Sequence, residues 1–335
     1  MKPKYPLYIP SKGRSDSRLT VKSLERMGVD YNIVVEGQEY DDYARVIDEK
    51  KIIVLPEIYF EQYDTLDRDG VWEGTGPGAA RNFIWDHSTE RGFKRHWVMD
   101  DNIQMFLRFN NNLQIPSNSG AIFRAMEDFC DRYENVGMAG PNYYMFVPRK
   151  AKHPPVIMNT RIYSCNLIKN DIPFRWRGRY NEDTDLSLRI LKSRLCTVQF
   201  NAFLQLKTTT MTMKGGNTEM YQKTNNRKEF AELLVRSHPD VARVVWKFNR
   251  WHHEVNYQPF KPNRLIRKPD YNEPKVINDY GMILRAKDAS DIIDPNLYIS
   301  QLESCLNEIV DEFSLKDNII LKDINNILFN NNIQL

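Results

Sequence analysis

The feature that most constrains the fold is a regular alternation of apolar runs and amphipathic stretches in the first 55 residues. The runs at 7–10, 31–36 and 52–55 have the β-branched and aromatic character of strands. The stretches between them, ending at about 28 and 50, have the polar and apolar periodicity of helices. Strands that alternate with helices at this spacing usually form a parallel sheet. We therefore predict an α/β fold of Rossmann type, with a mostly parallel sheet flanked by helices.

The same alternation continues to about residue 206. It predicts strands at 97–100, 136–139, 143–147, 162–168 and 197–206. It predicts helices that start at about 76 and helices over 117–134 and 184–195. Beyond a polar loop at 211–218, the composition predicts helices at 227–237 and 239–246, and small helices over the last fifty residues. No internal repeat is present.

Two acidic clusters stand where charged groups are unusual. Asp100-Asp101-Asn102 follows one apolar run and precedes another, whereas Glu182 and Asp183 open an amphipathic helix. Carboxylates at the carboxyl end of a strand face the crevice where open α/β sheets bind ligands. Hard oxygen ligands there suit Mg²⁺ or Mn²⁺ on a diphosphate. The clusters therefore suggest a metal–nucleotide site with a separate carboxylate for an acceptor.

Simpler interpretations of both clusters remain open at this stage. The first can be a turn between two strands, in which Asp and Asn are favoured residues. The second can be a helix start, with Asn181 as the N-cap and acidic residues in the first turn. Capping and catalysis are compatible, because a cap fixes the loop that carries a catalytic carboxylate.

Composition excludes several classes of protein. The chain has 335 residues and a net charge of +3, so it can bury a large core and is not strongly basic. It has no apolar run of about 18 residues, so we expect no membrane span, and we see no signal peptide. The four cysteines are far apart and form no Cys-x-x-Cys motif, which favours a reducing, cytoplasmic environment.

A basic and aromatic segment covers 246–268 and contains one acid, Glu254. Three further arginines precede the second acidic cluster. Basic residues contact phosphates and aromatic side chains stack on exposed bases, so the pattern indicates contact with DNA. An ordinary solvated helix and loop is the alternative. The predicted DNA-binding residues are Arg175, Arg177, Arg179, Arg250, Trp251, Lys261, Arg264 and Lys268.

Six segments in a fixed order carry a resemblance to a known family. They are residues 8–14, 35–40, 78–82, 100–102, 181–185 and 251–257. Together they resemble the TET-associated glycosyltransferases, GT-A enzymes that are predicted, largely in phages, to add sugars to hydroxymethylated pyrimidines in DNA. The resemblance covers about residues 5–260. It implies a GT-A-like catalytic core at 1–210, an acceptor-side part of the same domain at 211–285, and a helical extension at 286–335 outside the resemblance.

The resemblance also implies roles for individual residues. A nucleotide sugar, expected to be UDP-linked, would be bound by Pro10, Ser11, Lys12, Gly13, Arg14, Glu36, Arg81, Asn82 and Asp100. Mn²⁺ or Mg²⁺ would be held by Asp101 and Asp100, with His252 or His253 completing the shell. The family often has a carboxylate at the third position of the first cluster, where this chain has Asn102, so the ligand set is open.

The second cluster would serve the acceptor. Asp183, with Glu182 as the alternative, would take the proton from the acceptor hydroxyl. If the reaction retains configuration, this carboxylate would instead orient the substrate. The expected acceptor is a hydroxymethyl- or hydroxy-pyrimidine in DNA, and the expected location is the cytoplasm, that of the bacterial host if the chain is phage-encoded.

Three other functions fit parts of the pattern. The same fold can transfer sugar to a protein or a glycan. The four carboxylates of the two clusters can serve a two-metal nuclease or nucleotidyltransferase. The basic and aromatic segment can belong to a DNA-binding module without catalytic activity.

Overall fold

The computed structural model describes residues 2–67, 75–110, 112–149, 153–208 and 227–271. Residues 1–272 form one compact unit. The predicted loop at 211–218 and the predicted extension at 286–335 lie outside the described residues. In the described part, no helix is long and apolar enough to cross a bilayer.

Twelve strands are present in the described residues. They are β1 Leu7–Pro10, β2 Asn32–Val35, β3 Ile52–Val54, β4 Arg95–Met99, β5 Ile103–Asn110, β6 Leu113–Pro116, β7 Val136–Tyr143, β8 Val156–Met158, β9 Cys165–Lys169, β10 Cys196–Lys207, β11 Ala242–Lys247 and β12 Arg250–Val255. The α-helices of the same part are α1 Leu19–Arg26, α2 Tyr40–Ala44, α3 Ile58–Glu61, α4 Gly78–Glu90, α5 Ala121–Asp131, α6 Glu182–Lys192 and α7 Arg227–Ser237.

Ten strands form one mixed sheet in the order β3-β2-β1-β4-β9-β7-β10-β5-β6, with β8 beside β10. The pairs β3–β2, β2–β1, β1–β4 and β7–β10 are parallel. Strands β5, β8 and β9 run against the others. Most strands therefore share one direction, and the predicted α/β class with a mostly parallel sheet and flanking helices is confirmed.

The central strands are buried on both faces. Every residue of β4 is buried, and Tyr8 of β1 packs with Trp85 and Ile84 of α4 in the main core. Strands covered on both faces have continuous apolar sequences, which explains why β1 and β4 stood out in the sequence. The same arrangement brings the carboxyl ends of β1 and β4 to one edge of the sheet.

Part of the predicted secondary structure is wrong. The predicted helix at 239–246 is largely strand β11, which pairs with β12 in an antiparallel hairpin. Phe248 and Asn249 have φ angles of 53° and 56°, as in the two-residue turn that matches the twist of a hairpin. The predicted strand at 143–147 is instead a 3₁₀ turn, Tyr144–Phe146, after the end of β7. The predicted helix at 39–50 contains only α2 between two 3₁₀ turns.

The segment after the hairpin packs at the amino end of the central strands. The side-chain amide of Asn135 donates to the carbonyl of Arg264 at 2.7 Å, and the amide of Lys268 donates to the carbonyl of Arg132 at 2.8 Å. Asn135 directly precedes β7, whose carboxyl end is eight residues away. At about 3.3 Å per residue, the two ends of β7 are roughly 25 Å apart.

Candidate active site

A cleft of about 490 Å³ lies at the carboxyl ends of β1, β2 and β4. Both acidic clusters line it, although they are about eighty residues apart in sequence. The predicted site residues among its lining are Pro10, Ser11, Lys12, Arg14, Glu36, Arg81, Asp100, Asp101, Glu182, Asp183 and His253. The fold therefore brings most of the predicted donor, metal and catalytic residues together.

The first acidic cluster forms the turn between β4 and β5. The hydroxyl of Thr20, in α1, donates to the carbonyl of Asp100 at 2.6 Å and accepts from the amide of Ile103 at 2.9 Å. The amide of Asp100 donates to the carbonyl of Ser164 at 2.7 Å. These bonds fix the turn, so the turn interpretation is confirmed, and it is compatible with the predicted site.

Arg81 joins the two acidic clusters. Its guanidinium donates to Asp100 at 2.9 Å, to Glu182 at 2.9 Å and to Asp183 at 3.1 Å. The side chain is 3% exposed, and the guanidinium carbon lies 4.6 Å from the ring centroid of Trp176. Its position on the first turn of α4 places it between the end of β4 and the start of α6. One buried cation thus balances carboxylates from two distant parts of the chain.

Lys207, at the end of β10, was not among the predicted site residues. Its ammonium donates to Asp100 at 2.5 Å and to the hydroxyl of Ser164 at 2.9 Å. Burial would raise the pKa of Asp100, but Lys207 and Arg81 together hold that pKa well below its usual range. Asp100 is therefore ionised at any physiological pH. A lysine directly after the apolar run 197–206 was the sequence signal that could have identified it.

The catalytic carboxylates predicted at the start of α6 have raised pKa values. Burial raises the pKa of Glu182 to about 7, although the guanidinium of Arg81 acts in the opposite direction. Burial also raises the pKa of Asp183, again opposed by Arg81. A carboxylate whose pKa is raised toward neutrality is better suited to accept a proton during a reaction.

Asn181 occupies the N-cap position of α6, but its side chain does not cap the helix. Its backbone is left-handed, with φ of 56°, and its side-chain amide donates to the carbonyl of Phe230 at 2.7 Å. Asn181 thus connects the loop before α6 to α7. The ring of Tyr180 stacks on that of Phe230 at 3.5 Å and strengthens the same connection.

The loop after β1 is tied to both α2 and the first acidic cluster. The hydroxyl of Ser11 donates to Asp101 at 2.8 Å and bonds the hydroxyl of Tyr43 at 2.7 Å. Arg14 forms an ion pair with Asp101. Gly13 has φ of 64° and does not line the cleft, and its amide donates to the carboxylate of Glu39, in the 3₁₀ turn before α2. The predicted nucleotide-binding loop is therefore held in place by side chains on either side of it.

Asn82, which was predicted to bind the nucleotide sugar, has another role in the structure. Asn82 exchanges hydrogen bonds with the backbone of Trp176 at 2.8 and 3.0 Å and does not line the cleft. It positions the segment that covers Arg81. Lys12 and Glu36 do line the cleft, and they form an ion pair with each other at 2.7 Å.

A second cleft of about 480 Å³ adjoins the first. The residues that line both clefts are Tyr143, Phe146, Asn181, Lys207 and His253. Six of the sixteen residues that line the second cleft are Tyr, Phe or Trp, and no described residue that lines it is acidic. Sequence reasoning missed its aromatic wall, because the 3₁₀ turn Tyr144–Phe146 was predicted to be a strand.

The two predicted metal-binding histidines differ in position. His253 lines both clefts, whereas His252 lines only the second and accepts from Arg250 at 2.8 Å. Burial lowers the pKa of His253 to about 4, with Arg161 contributing. The imidazole of His253 is therefore neutral near pH 7, which is the form that binds metal.

The donor set fits a divalent cation in its chemistry. Two cations, Arg81 and Lys207, lie among the three carboxylates of Asp100, Glu182 and Asp183. One net negative charge therefore remains when all five groups are ionised. In the described part of the chain, no three His, Cys, Asp or Glu side chains converge to hold an ion alone. Mg²⁺ is usually held by one or two carboxylates together with substrate phosphates. Asp100 and Asp101 would join such a shared site in exchange for their present ion pairs with Arg81, Lys207 and Arg14.

The predicted DNA-binding residues do not form one surface. Arg250 and Trp251 line the second cleft. Arg175 pairs with Asp86, and Arg177 pairs with Asp185. Arg179 is buried. Lys261, Arg264 and Lys268 belong to the segment at the amino end of β7, far from both clefts. The basic and aromatic segment of the sequence is therefore divided between the two ends of the central strands.

Comparison with known proteins identifies the family. A search of curated proteins gives no significant match. A family model described as TET-Associated Glycosyltransferase matches residues 5–216, which include both acidic clusters, Arg81 and Lys207. The matched region is well over half of the chain, and it contains the whole central sheet. The chain belongs to the TET-associated glycosyltransferase family and is a glycosyltransferase.

Proposed function

We propose that this glycosyltransferase moves a hexosyl or pentosyl group from a UDP-sugar to a hydroxymethyl- or hydroxy-pyrimidine base in DNA. The observation that carries the proposal is the second cleft, which is aromatic, contains Arg250 and Lys207, and has no acidic residue among its described lining. Aromatic faces stack on bases, and basic groups contact phosphates. A neutral glycan could also stack on the aromatic faces, but it carries no phosphates for Arg250 and Lys207 to contact.

The charged first cleft is the proposed donor site. Its loop after β1, with Pro10, Ser11 and Lys12, would hold the nucleoside, and Glu36 would meet the ribose or base. Arg14 and Arg81 bring positive charge to the diphosphate side. Asp100 and Asp101 would hold Mn²⁺ or Mg²⁺, which when bound neutralises charge on the diphosphate.

In the proposed transfer, the carboxylate of Asp183 lies beside the acceptor hydroxyl. The acceptor hydroxyl oxygen forms a bond to the anomeric carbon while the bond from that carbon to the diphosphate breaks. The diphosphate leaves with the bonding electrons, and the carboxylate of Asp183 takes the hydroxyl proton if the reaction inverts configuration. In a retaining reaction, Asp183 would orient the acceptor instead. The ammonium of Lys207, which lines both clefts, would stabilise the negative charge on the leaving group.

The direct test uses oligonucleotides that contain 5-hydroxymethylcytosine or 5-hydroxymethyluracil. Each is incubated with a panel of UDP-sugars and Mn²⁺, digested to nucleosides and analysed by mass spectrometry. We expect one added sugar on the modified base, none on unmodified DNA, and none with Asp183→Asn. Label on protein or glycan acceptors but not on DNA would select the other acceptor class. Metal-dependent DNA cleavage without any donor would select a nuclease.

Donor binding is tested separately by thermal unfolding with UDP, with and without Mn²⁺. Specific binding stabilises the folded state by mass action, so the melting temperature should rise when both are present. Asp101→Asn should remove the part of the shift that depends on Mn²⁺, whereas Asp183→Asn should keep it. Equal loss in both variants would contradict the separate donor and acceptor roles. No shift with UDP, GDP or TDP would contradict the nucleotide site.

The proposed substrates also suggest where the protein acts. Nucleotide sugars and replicating phage DNA are both present in the bacterial cytoplasm. Cys130, Cys165 and Cys196 are buried free thiols, as is usual in a reducing compartment. A cytoplasmic site of action is therefore part of the proposal.

A further inference from the structure

The tip of the β11–β12 hairpin carries an aromatic residue that packing does not explain. Phe248 is 86% exposed, more than any other large hydrophobic residue in the described part of the chain. Its ring makes one edge-on contact, with His252 at 6.0 Å between ring centroids. A side chain in this position contributes little to the core, so its burial cannot account for its presence.

The backbone of Phe248 is also unusual. Its φ of 53° lies in the left-handed region, and so does that of Asn249 at 56°. A two-residue hairpin turn of this kind favours Asn, Asp and Gly, whereas a bulky aromatic residue there is strained. A strained and exposed aromatic residue suggests that the side chain is needed for contact with a ligand.

The hairpin tip stands beside the second cleft. Arg250, the first residue of β12 after the turn, lines that cleft, as does Trp251. Lys247 pairs with Arg250 across the hairpin, so basic residues flank the turn on both strands. The rings of Trp246 and Trp251 pack edge-to-face at 5.1 Å directly below the tip and support it. The tip is therefore an apolar projection with one basic residue on each adjoining strand.

We infer that Phe248 is a wedge that enters the base stack of duplex DNA. This inference rests on the proposed function. The C5 substituent of a paired pyrimidine points into the major groove, but the carboxylate of Asp183 is recessed in a cleft and is only 20% exposed. We therefore expect the base to leave the stack to bring its hydroxymethyl group to that carboxylate. An apolar side chain inserted between base steps replaces part of the stacking lost there. Phe248 fills the space that the acceptor base leaves, while the base enters the aromatic second cleft.

The inference separates duplex from single-stranded acceptors. Phe248→Asn removes the ring and gives the turn a residue that favours its backbone conformation, so the hairpin should be at least as stable. We expect kcat/KM on duplex DNA to fall about tenfold or more, from the loss of one stacking contact. On the single-stranded oligonucleotide of the same sequence, kcat/KM should stay within about twofold, because no stack is opened.

A mismatch opposite the acceptor base supplies a second test. The mismatched base is already unpaired, so Phe248→Asn should recover most of its activity on that duplex. Phe248→Leu retains an apolar wedge and should keep more duplex activity than Phe248→Asn. Ile266→Ala is the matched control, because Ile266 is also exposed, at 53%, but lies on the segment away from the clefts.

The possible results are distinct. Equal activity of Phe248→Asn and wild type on duplex DNA would overturn the wedge. Equal loss on duplex and single-stranded DNA would also overturn it, in favour of general acceptor binding. If wild type glycosylates neither form of DNA, the proposed function fails first. If wild type glycosylates both and the variant is unaffected, only the wedge fails.

Discussion

Arg81 holds together the part of the site that the fold assembles from distant segments, so its replacement gives a quantitative test. Arg81→Met keeps an unbranched side chain and removes the guanidinium, together with its contact to the ring of Trp176. Three hydrogen bonds, to Asp100, Glu182 and Asp183 at 2.9 to 3.1 Å, are lost together. Asp100 keeps Lys207, whereas the other two carboxylates lose the cation nearest to them.

The expected cost follows from burial. Arg81 is 3% exposed and its partners are at most 20% exposed, so solvent screening is weak. Removal of one partner from a buried ion pair costs about 3–5 kcal/mol of unfolding free energy. At about 2–4 °C per kcal/mol for a chain of this size, the melting temperature should fall by roughly 10 °C.

The pH dependence has a definite sign. In wild type, burial raises the pKa of Glu182 to about 7, so the folded state binds more protons than the unfolded state between about pH 4.5 and 7. The stability contributed by this group is present at low pH and is lost as the pH rises through that range. Without Arg81, the pKa values of Glu182 and Asp183 should rise further, because the cation that lowers them is gone. The deficit of Arg81→Met should therefore be largest near pH 8 and smaller near pH 5.

The assay is urea denaturation followed by tryptophan fluorescence, since Trp85, Trp97 and Trp176 are buried. The control is Arg45→Met, because the Arg45–Asp42 pair is 72% and 59% exposed and should contribute at most about 0.5 kcal/mol. A deficit for Arg81→Met below about 1 kcal/mol at pH 8 would refute the reasoning. So would a deficit that grows as the pH falls.

Three further predictions follow from the structure. Burial raises the pKa of Asp183, so kcat/KM for transfer should rise with pH through an apparent pKa above the ordinary aspartate value of about 4. A profile whose acidic limb falls at the ordinary value would contradict the role of Asp183 as the base. Gly140→Ala should lower the unfolding free energy by about 3 kcal/mol in urea denaturation, because the added carbon meets the backbone of the neighbouring strand. Gly37→Ala is the control and should be nearly neutral, because the added carbon has room there. Arg264→Ala and Lys268→Ala should leave transfer to DNA unchanged at low salt, because both residues lie at the end of the sheet away from the clefts; a clear loss would place DNA across that end.

The fold class could be predicted because local sequence and tertiary environment agree over the first 140 residues. Strands β1, β2 and β4 are covered on both faces, so they appear as continuous apolar runs. The hairpin β11–β12 could not be predicted in the same way. Its strands are only partly buried, and its turn residues, Phe248 and Asn249, lack the usual Asn-Gly signal.

The sequence by itself determined which chemistry is available. Carboxylates after β4 and at the start of α6 are visible in one dimension, because charged residues beside apolar runs are unusual. Their order along the chain also carried the family resemblance, which the family match confirms. Groups that are neighbours in the sequence, or that directly follow a strand, can therefore be identified from the sequence alone.

Only the tertiary structure decided which charges meet. Arg81 contacts carboxylates about twenty and one hundred residues away, and Lys207 reaches Asp100 from the far end of β10. The same folding separates Arg250 from Arg264, although they are close in sequence. Electrostatic interactions depend on distance and burial in space, and neither is encoded in sequence spacing beyond a few residues.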